Sequence, residues 1–435
     1  MAPQATRGFV RRNIEKPWLI VLVLPMAAVM VFLRILPWLR TLFGKSGTLA
    51  KLSVFFTRRR MEQIARDKEA ERGGERSELP ADYTAHFELR PLSQESYRVA
   101  TDEQVQSIAE QFATWTANKR DGSVAIVGEA GMGKTTLVNQ LLTALPVPPD
   151  QVLRSELTDK LTTEAEVIAF LAQTFGFAET PESLGALEQA ILDDPSPVVV
   201  LDNAHHFFLK SMGGMKGLEA FLHVVNMTCT NVFWITTFNA YSWYFVTNLK
   251  RSEPPFRQIV HLKAWSAEQI QDLILKRNTE TGYAATFQDL IVDRGVDDRT
   301  HYEVVRTKHS YFRILSDLSR GNPSVALRHW LRSLRGSEDN SRTLRVGLYQ
   351  PELSSALIDA SDDVLFALTA IATHESMSVD ELAKVLRVPE DTAQRTVNYC
   401  EENVLIHREG EIVMLHLRNY SQIIRHLEMR SFIYF

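Results

Sequence analysis

Residues 128–136 read GEAGMGKTT and stand between an apolar run, 124–127, and a pattern typical of a helix. The two outer glycines, the lysine and the threonine after it have the spacing of a P-loop, a strand-to-helix turn that wraps phosphate groups. Glycines let backbone N–H groups approach an anion closely, and the following helix adds its positive N-terminal end. The sequence therefore predicts a phosphate-binding loop between a buried strand and a helix.

Each position of this loop has an expected role if it holds a nucleoside triphosphate with Mg²⁺. Lys134 would reach the β- and γ-phosphates, and the Thr135 hydroxyl would ligate the metal. The whole loop would line the phosphates: Gly128, Glu129, Ala130, Gly131, Met132, Gly133, Lys134, Thr135 and Thr136. We therefore predict ATP or ADP and Mg²⁺ as bound cofactors.

A second apolar run, PSPVVVL at 195–201, ends at Asp202 and is typical of a buried parallel strand. The carboxyl ends of such strands meet at the ligand-binding edge of the sheet, where Asp202 would hold Mg²⁺ through water. Asn203 occupies the place where many related ATPases carry an acid that activates water. Since an amide cannot accept a proton, hydrolysis should be slow or should use another base, for which Glu129 and His205 are candidates.

Residues 231–239, NVFWITTFN, predict another buried strand with a polar end. In a nucleotide-binding sheet that end faces the γ-phosphate, which Thr237 or Asn239 would then sense. Arg251 or Arg257, just before the next apolar run, is a candidate arginine finger acting on a neighbouring subunit. A surface salt bridge is the alternative for either arginine.

Helical patterns follow, with a capping box at Ser266 and Gln269, and reach RGNPSVALRHW at 320–330. The sequence Gly-Asn-Pro there predicts a turn followed by a helix. If this helical region folds over the nucleotide, Pro323 would touch the adenine and Arg328 the phosphates. A plain turn with a solvated arginine is the alternative.

The amino-terminal stretch 17–40, PWLIVLVLPMAAVMVFLRILPWLR, is apolar and carries Trp18 and Trp38 near its ends. At helical rise the two tryptophans stand roughly 30 Å apart, the thickness of a hydrocarbon core. A spanning helix is the favoured interpretation, and an interfacial or re-entrant helix and a signal peptide are the alternatives. Membrane lipid is thus an expected partner.

Charge predicts the orientation of this anchor. The first sixty residues hold eleven Lys or Arg and a single acid, and the larger basic cluster follows the apolar run. The positive-inside rule then places the remainder of the chain in the cytoplasm, as a single-pass protein of the cell inner membrane. Two cysteines, Cys229 and Cys400, give no disulfide framework and suit a reducing compartment.

The C-terminal pattern is a helix at 362–374, a capping box at Ser378 and Glu381, a helix at 389–403 and a hairpin around Gly410. That order is typical of a winged helix-turn-helix. Residues 355–435, however, hold seven bases and thirteen acids. Neutralising phosphates requires the opposite balance, so a nucleic-acid partner is not expected.

Together, GEAGMGKTT, VVVLDNAH, WITTFN and GNPSVAL, in that order, resemble the STAND branch of the AAA+-related P-loop ATPases, over residues 92–435. NB-ARC, NACHT and origin-recognition-type ATPases are the nearest patterns. The resemblance implies a nucleotide domain, a helical lid and a winged-helix domain that act as an ATP-driven switch or oligomerising motor. In NB-ARC proteins a Met-His-Asp motif contacts ADP, and Leu415, His416 and Leu417 match it at the histidine alone. A packed or surface His416 is the alternative.

The predicted fold class is α/β: a parallel-sheet P-loop domain, an all-α lid, a winged helix and an N-terminal transmembrane helix. The predicted boundaries are 1–56 for the anchor and its basic amphipathic segment, 57–80 for a charged linker, 81–263 for the ATPase core, 264–350 for the lid and 351–435 for the winged helix.

The favoured function is a membrane-anchored, slowly hydrolysing ATPase switch whose nucleotide state controls self-assembly or a partner protein. Two alternatives stay open at this point. A membrane-tethered DNA-binding regulator rests on the winged-helix pattern, and a non-hydrolysing ATP-binding scaffold rests on Asn203.

Overall fold

The computed structural model describes residues 79–88, 102–194, 198–249, 255–290, 300–336, 342–348 and 355–433. The chain divides into two compact units, Met1–Gln63 and Ile64–Phe435, and all described residues belong to the second. The predicted anchor lies outside the described residues, as does nearly all of the predicted linker. Within the described ranges, no helix combines the length and apolarity needed to cross a membrane.

A five-stranded parallel sheet forms the centre of the described chain, with the strand order β2-β3-β4-β1-β5. The strands are β1 Ser123–Gly128, β2 Val152–Glu156, β3 Val198–Asp202, β4 Phe233–Asn239 and β5 Gln258–His261. All residues of β1, β3 and β4 are buried, which is the reason that these strands appear in the sequence as continuous apolar runs.

Helices cover both faces of this sheet. The helices of this region are α1 Ala81–Ala85, α2 Asp102–Asn118, α3 Lys134–Ala144, α4 Glu164–Phe175, α5 Leu184–Asp193, α6 Lys216–Thr228 and α7 Ala240–Leu249. On one face, α2 and α3 pack Ile108, Trp115 and Leu137 against the strands. The other face is covered by α4 to α7, through residues such as Leu171 and Phe221. The predicted P-loop α/β core is confirmed.

Strand register brings the polar strand ends to one edge of the sheet. Gly128 of β1 pairs with Asn239 of β4, and Asp202 of β3 pairs with Glu156 of β2. All these residues end their strands, so the P-loop and the residues after β2, β3 and β4 lie at the same carboxyl edge.

Residues 264–350 contain helices and a small sheet. The elements are α8 Ala267–Thr281, β6 Ala284–Thr286, α9 Thr300–Ser319, α10 Pro323–Ser333, β7 Leu334–Gly336 and β8 Thr343–Val346. The three strands form a sheet in the order β6-β8-β7, so the prediction of an all-α lid is wrong. The strands are only three or four residues long, and so short a stretch carries too little alternation to stand out from a helical background.

Aromatic side chains form the centre of this region. Trp330 of α10 packs against Tyr311 and Phe312 of α9. Helix α1, which we assigned to the ATPase core, packs here as well: the Trp330 indole N–H donates to the Tyr83 hydroxyl at 3.0 Å, and that hydroxyl donates to Asn278 Oδ1 at 2.9 Å.

The C-terminal region consists of α11 Ser355–Ile358, α12 Asp362–His374, β9 Ser376–Ser378, α13 Val379–Leu386, α14 Glu390–Glu402, β10 Ile406–Glu409, β11 Ile412–Leu415 and α15 Tyr420–Met429. Its strands form an antiparallel sheet in the order β10-β11-β9. The predicted capping box at Ser378 and Glu381 is present, and Gly410 turns the hairpin with φ 61°.

This C-terminal region packs directly on the P-loop domain. Its apolar core also contains Leu209 and Tyr241 of the P-loop domain and Val325 of α10, and Ala130 of the P-loop packs against it. A bidentate ion pair between Arg320 and Glu428 adds a polar contact to the residues just before α10. The described residues of the second unit therefore form one continuous body around the P-loop.

Candidate functional site

The loop between β1 and α3 has the backbone conformation of an anion-binding turn. Gly131 and Gly133 have φ values of 77° and 93°, which residues with a Cβ rarely adopt. Gly133 is the N-cap of α3, and no side chain caps that helix end. The first N–H groups of α3 have no acceptor within the helix, so they suit a phosphate.

Lys134 lies folded back over its own loop. Its side chain is only 6% exposed. The ammonium group donates to the carbonyl oxygens of Gly128 at 3.2 Å and of Glu129 at 3.3 Å. The charge is thereby held at the mouth of the loop, where the β- and γ-phosphates of a nucleotide are expected.

The two predicted magnesium ligands meet at the carboxyl edge. The Thr135 hydroxyl donates to Asp202 Oδ2 at 2.8 Å, and the Thr237 hydroxyl donates to the other carboxylate oxygen. A hydroxyl and a carboxylate suit Mg²⁺, which takes few protein ligands and completes its shell with water and substrate phosphates. Among the described residues, no group of three or more His, Cys, Asp or Glu side chains is arranged to hold a metal.

Asn203 directs its amide to an acid that sequence reasoning missed. Its Nδ2 donates to Glu156 Oε1 at 3.1 Å, and its backbone N–H donates to the Thr237 hydroxyl at 2.9 Å. Asn203 has the left-handed conformation, φ 60° and ψ 38°, which asparagine tolerates better than most residues. Glu156 ends β2, a strand at the edge of the sheet in which no residue is fully buried. The sequence of β2 therefore lacks the continuous apolar run that marks β1, β3 and β4.

Glu129 and His205, the other candidate bases, are engaged elsewhere. Glu129 accepts a hydrogen bond from the Tyr420 hydroxyl at 3.0 Å, and burial raises the pKa of its carboxyl group. His205 is fully buried, and its Nδ1 accepts from the Asn239 backbone N–H at 3.3 Å. Burial holds the pKa of this imidazole well below its usual value. Neither side chain is placed as an exposed base at the edge of the sheet.

A second missed acid, Glu375, enters the site from the C-terminal region. Its Oε2 lies 3.3 Å from Lys134 Nζ and accepts a hydrogen bond from Asn239 Nδ2 at 3.2 Å. Glu375 follows α12, far along the chain from the P-loop. No local motif marks it, because only the packing of two distant regions creates the contact.

Two residues at the start of α10 hold the P-loop from the other side. Asn322 Nδ2 donates to the Ala130 carbonyl at 2.7 Å, and the Ser324 hydroxyl donates to the Gly131 carbonyl at 2.9 Å. The approach is close, since a Cβ on Gly131 would lie 2.7 Å from Ser324 Cβ. The predicted contact residue Pro323 lies between them, buried, at the first position of the helix.

The remaining predicted site residues lie further from the P-loop. Arg328 is exposed, one turn beyond Ser324, and lines a cleft with residues of α1. His416 follows β11, and its Nδ1 accepts from the Arg418 N–H at 3.1 Å. Burial lowers the pKa of His416, and nearby positive charges that include Arg328 act in the same direction. Contact of Arg328 and His416 with a nucleotide stays a prediction.

Arg257 is not brought to this site within its own chain. It immediately precedes β5 and so lies at the amino edge of the sheet, opposite the P-loop. Its Nε is 3.5 Å from Asp121 Oδ2, in a largely exposed ion pair. The surface salt bridge that was the alternative interpretation of Arg257 is thus present. Its role as an arginine finger on a neighbouring subunit stays a prediction. Arg251 lies outside the described residues.

Comparison with known families gives a match in this part of the chain. Residues 117–238 match the AAA domain. The matched range includes the P-loop, Asp202 and nearly all of β4. Over 116 residues the chain is 33% identical to the tRNA modification GTPase MnmE of Parabacteroides distasonis, a match that covers 25% of each protein. The chain thus spans about a quarter of the length of this curated relative.

Several solved structures resemble the chain over a wider range. They include the ORC2 protein of Aeropyrum pernix in ADPNP–ADP complexes, with 12% identity, coverage of 80% of this chain and 98% of that one, and a TM-score of 0.36. Cdc6p of Pyrobaculum aerophilum has 12% identity, the same coverage and a TM-score of 0.40. The ORC1 protein of Aeropyrum pernix in complex with DNA has 14% identity, coverage of 79% and 94%, and a TM-score of 0.36. At these scores the likeness is partial and supports no inference about function.

Proposed function

We propose that this protein is a membrane-anchored AAA-type ATPase that binds ATP or ADP with Mg²⁺ and works as a switch. Its nucleotide state would control self-assembly or the activity of a partner protein. One observation carries the proposal: Lys134, Thr135 and Asp202 meet at the carboxyl edge of a parallel sheet, inside the range that matches the AAA domain.

Nucleotide binding follows from the chemistry of this edge. The uncapped N-terminus of α3 and the Lys134 ammonium provide positive potential for the phosphates. Thr135 and Asp202 would hold Mg²⁺, which neutralises charge on the phosphates when bound. Thr237 fixes the orientation of the Asp202 carboxylate.

Hydrolysis requires a group that accepts a proton from the attacking water, and Asn203 cannot do so. We assign that role to Glu156, whose carboxylate is oriented by the Asn203 amide at the same edge. The side chain of Glu156 is exposed, so it is less well fixed than a buried base. We therefore retain the expectation of slow hydrolysis.

The switch is supported by contacts that join the P-loop to distant parts of the chain. Tyr420 and Glu375 of the C-terminal region contact Glu129 and Lys134, and Asn322 of the lid contacts Ala130. A movement of the P-loop would therefore alter its contacts with both the C-terminal region and the start of α10. The order α12, β9, α13, α14, β10 and β11 supports the interpretation of residues 351–435 as a winged helix.

The partners follow from the sequence. The apolar stretch 17–40 and its basic flanks support the membrane anchor, with the ATPase on the cytoplasmic side of the inner membrane. Self-association or a protein partner suits a switch. A nucleic-acid partner is disfavoured by the acids of α14, which carries Glu390, Asp391, Glu401 and Glu402 against one arginine, Arg395.

Nucleotide-dependent assembly of the full chain in detergent tests this proposal. We expect its mass by light scattering to differ between ATP and ADP, both with Mg²⁺, and we expect Lys134→Ala to abolish the difference. Lys216→Ala, which removes an exposed lysine at the start of α6, is the matched control. Identical behaviour of the parent and Lys134→Ala would contradict the switch.

A non-hydrolysing scaffold is the second candidate, and Asn203 is the observation that favours it. Phosphate release by the parent and by Asn203→Glu separates the two functions. No release by the parent together with release by Asn203→Glu would favour the scaffold, whereas release by the parent supports the ATPase.

A further inference from the structure

We propose that Glu375 selects the nucleotide: its carboxylate takes the position of a γ-phosphate, so that this closed form accepts a diphosphate and excludes a triphosphate. The inference rests on the nucleotide site proposed above and deepens it. Glu375 would be a specificity-determining residue supplied by the C-terminal region.

Three side chains converge on a single oxygen of Glu375. Its Oε2 lies 3.3 Å from Lys134 Nζ, 3.2 Å from Asn239 Nδ2 and 3.7 Å from His205 Nε2. Lys134 is the residue that a P-loop directs to the β- and γ-phosphates, and Asn239 ends the strand beside the loop. The carboxylate thus takes the same donors that would otherwise face a terminal phosphate.

Charge prevents the carboxylate and a γ-phosphate from sharing this position. Both are anions, and Asp202 already contributes one negative charge nearby. Lys134 is partly neutralised by Glu375 while they are paired, which leaves less attraction for a triphosphate. A diphosphate ends one phosphate earlier and can lie on the N–H groups of the loop while the ion pair stays intact.

The backbone holds Glu375 in a conformation that most residues avoid. Its φ is 64° and its ψ is −44°, at the end of α12. Positive φ is costly for a residue with a Cβ, and such conformations persist where the surrounding contacts enforce them. The neighbours supply these contacts: His374 Nε2 accepts from the Lys210 N–H at 3.2 Å, and the Ser376 carbonyl accepts from Lys160 Nζ at 2.8 Å.

The same anchoring links nucleotide choice to the closed arrangement. The Ser242 hydroxyl donates to the Thr373 carbonyl, so the chain is tied to the P-loop domain on both sides of Glu375. A triphosphate would have to displace the carboxylate, and with it the end of α12. ATP binding would therefore open the contact between the C-terminal region and the P-loop, whereas ADP would preserve it.

The test is the ratio of two affinities in the full chain in detergent. We would measure Kd for ADP and for the slowly hydrolysed analogue ATPγS, with Mg²⁺, for the parent and for Glu375→Gln. The amide keeps the size of the side chain and can still accept from Asn239, but it lacks the charge. We expect the preference for ADP over ATPγS to fall about tenfold, equivalent to 1.4 kcal/mol. Glu411→Gln, at a side chain 85% exposed, is the control and should leave the ratio unchanged.

The outcomes separate this inference from the function on which it rests. If the parent and Glu375→Gln bind both nucleotides with the same ratio, the selection role is wrong and the nucleotide site stands. If none of the proteins binds either nucleotide, the nucleotide site itself is wrong. Should Glu375→Gln fail to fold, Glu375→Asp replaces it: a shorter side chain that withdraws the carboxylate should lower the ADP preference, and an unchanged ratio would overturn the proposal.

Discussion

At the scale of single residues, the site divides into side chains that a local motif marks and side chains that only packing brings in. Lys134 and Thr135 belong to one loop, and Asp202 and Asn239 end buried strands, so sequence reasoning placed them together through the parallel sheet. Asn322, Ser324, Glu156 and Glu375 had no such signal. Glu156 reaches the site because β2 lies beside β3. The other three reach it because regions distant in sequence pack on the P-loop domain, and no local pattern encodes either arrangement.

Glu156 provides a test at this scale. Replacing it with Gln should lower the rate of phosphate release about 100-fold or more, because a general base contributes that much to proton transfer. Nucleotide affinity should stay near that of the parent, since Glu156 contacts Asn203 and not the P-loop residues that would hold the phosphates. Steady-state release and ADP titration together measure both quantities. Glu179→Gln, in an exposed loop, is the control, and a parent-like rate in Glu156→Gln would rule out the proposed base.

At the scale of elements, short polar contacts fasten helix ends to the P-loop. Asn322 has two functions: Oδ1 caps α10 by accepting from the N–H groups of Ser324 and Val325, and Nδ2 donates to the Ala130 carbonyl. The helix itself was predicted from Gly-Asn-Pro. The second function was not, because the sequence does not say what the helix end touches.

Two substitutions separate these functions of Asn322. Asn322→Ser retains a capping oxygen but cannot reach Ala130, so it should cost about 1 kcal/mol for one lost hydrogen bond. Asn322→Ala loses the cap as well and should cost about 2 kcal/mol. Urea unfolding of the full chain in detergent gives both values. Equal stability of the parent and both variants would show that neither contact matters.

Three histidines link the P-loop domain to α12. His205 and His206 lie in the short 3₁₀ helix after β3, His374 ends α12, and all three are buried. The Ser376 hydroxyl is 3.4 Å from His206 Nε2, and Lys160 lies close by. Burial, with the charge of Lys160, lowers the pKa of His206 to about 3, so the folded protein keeps this ring neutral.

The free energy of unfolding should therefore decrease as the pH falls. Above pH 6.5 the His206 ring is neutral in both states, and its full contribution to stability is present. As the pH falls below 6.5, the unfolded chain binds the proton first, so stability is lost towards pH 3, by roughly 2 kcal/mol at pH 5 for this residue. Urea unfolding at pH 7.5 and 5.0 measures the change, and His206→Gln should reduce it. An equal change in the parent and His206→Gln would contradict the assignment.

At the scale of the whole molecule, two regions contact the P-loop in the part of the chain that the structure describes: the start of α10 and the C-terminal region. The predicted α/β core is confirmed, and the order of its motifs was sufficient to predict it. The small sheet β6-β8-β7 and the packing of α1 beside Trp330 were not predicted, since both depend on pairings between segments far apart in sequence. The anchor and its orientation in the membrane stay predictions from residues 1–60, and self-assembly stays a prediction from the family resemblance.

The central claim is that a nucleotide with Mg²⁺ binds at Lys134, opposite Asp202. Titration calorimetry of the full chain in detergent, with ADP and Mg²⁺, tests it most directly. We expect saturable binding at one site per chain, weakened at least about tenfold in Lys134→Ala because a charged hydrogen-bond donor is lost. Absence of ADP and ATP binding by the folded parent, or equal affinity in Lys134→Ala, would contradict the account.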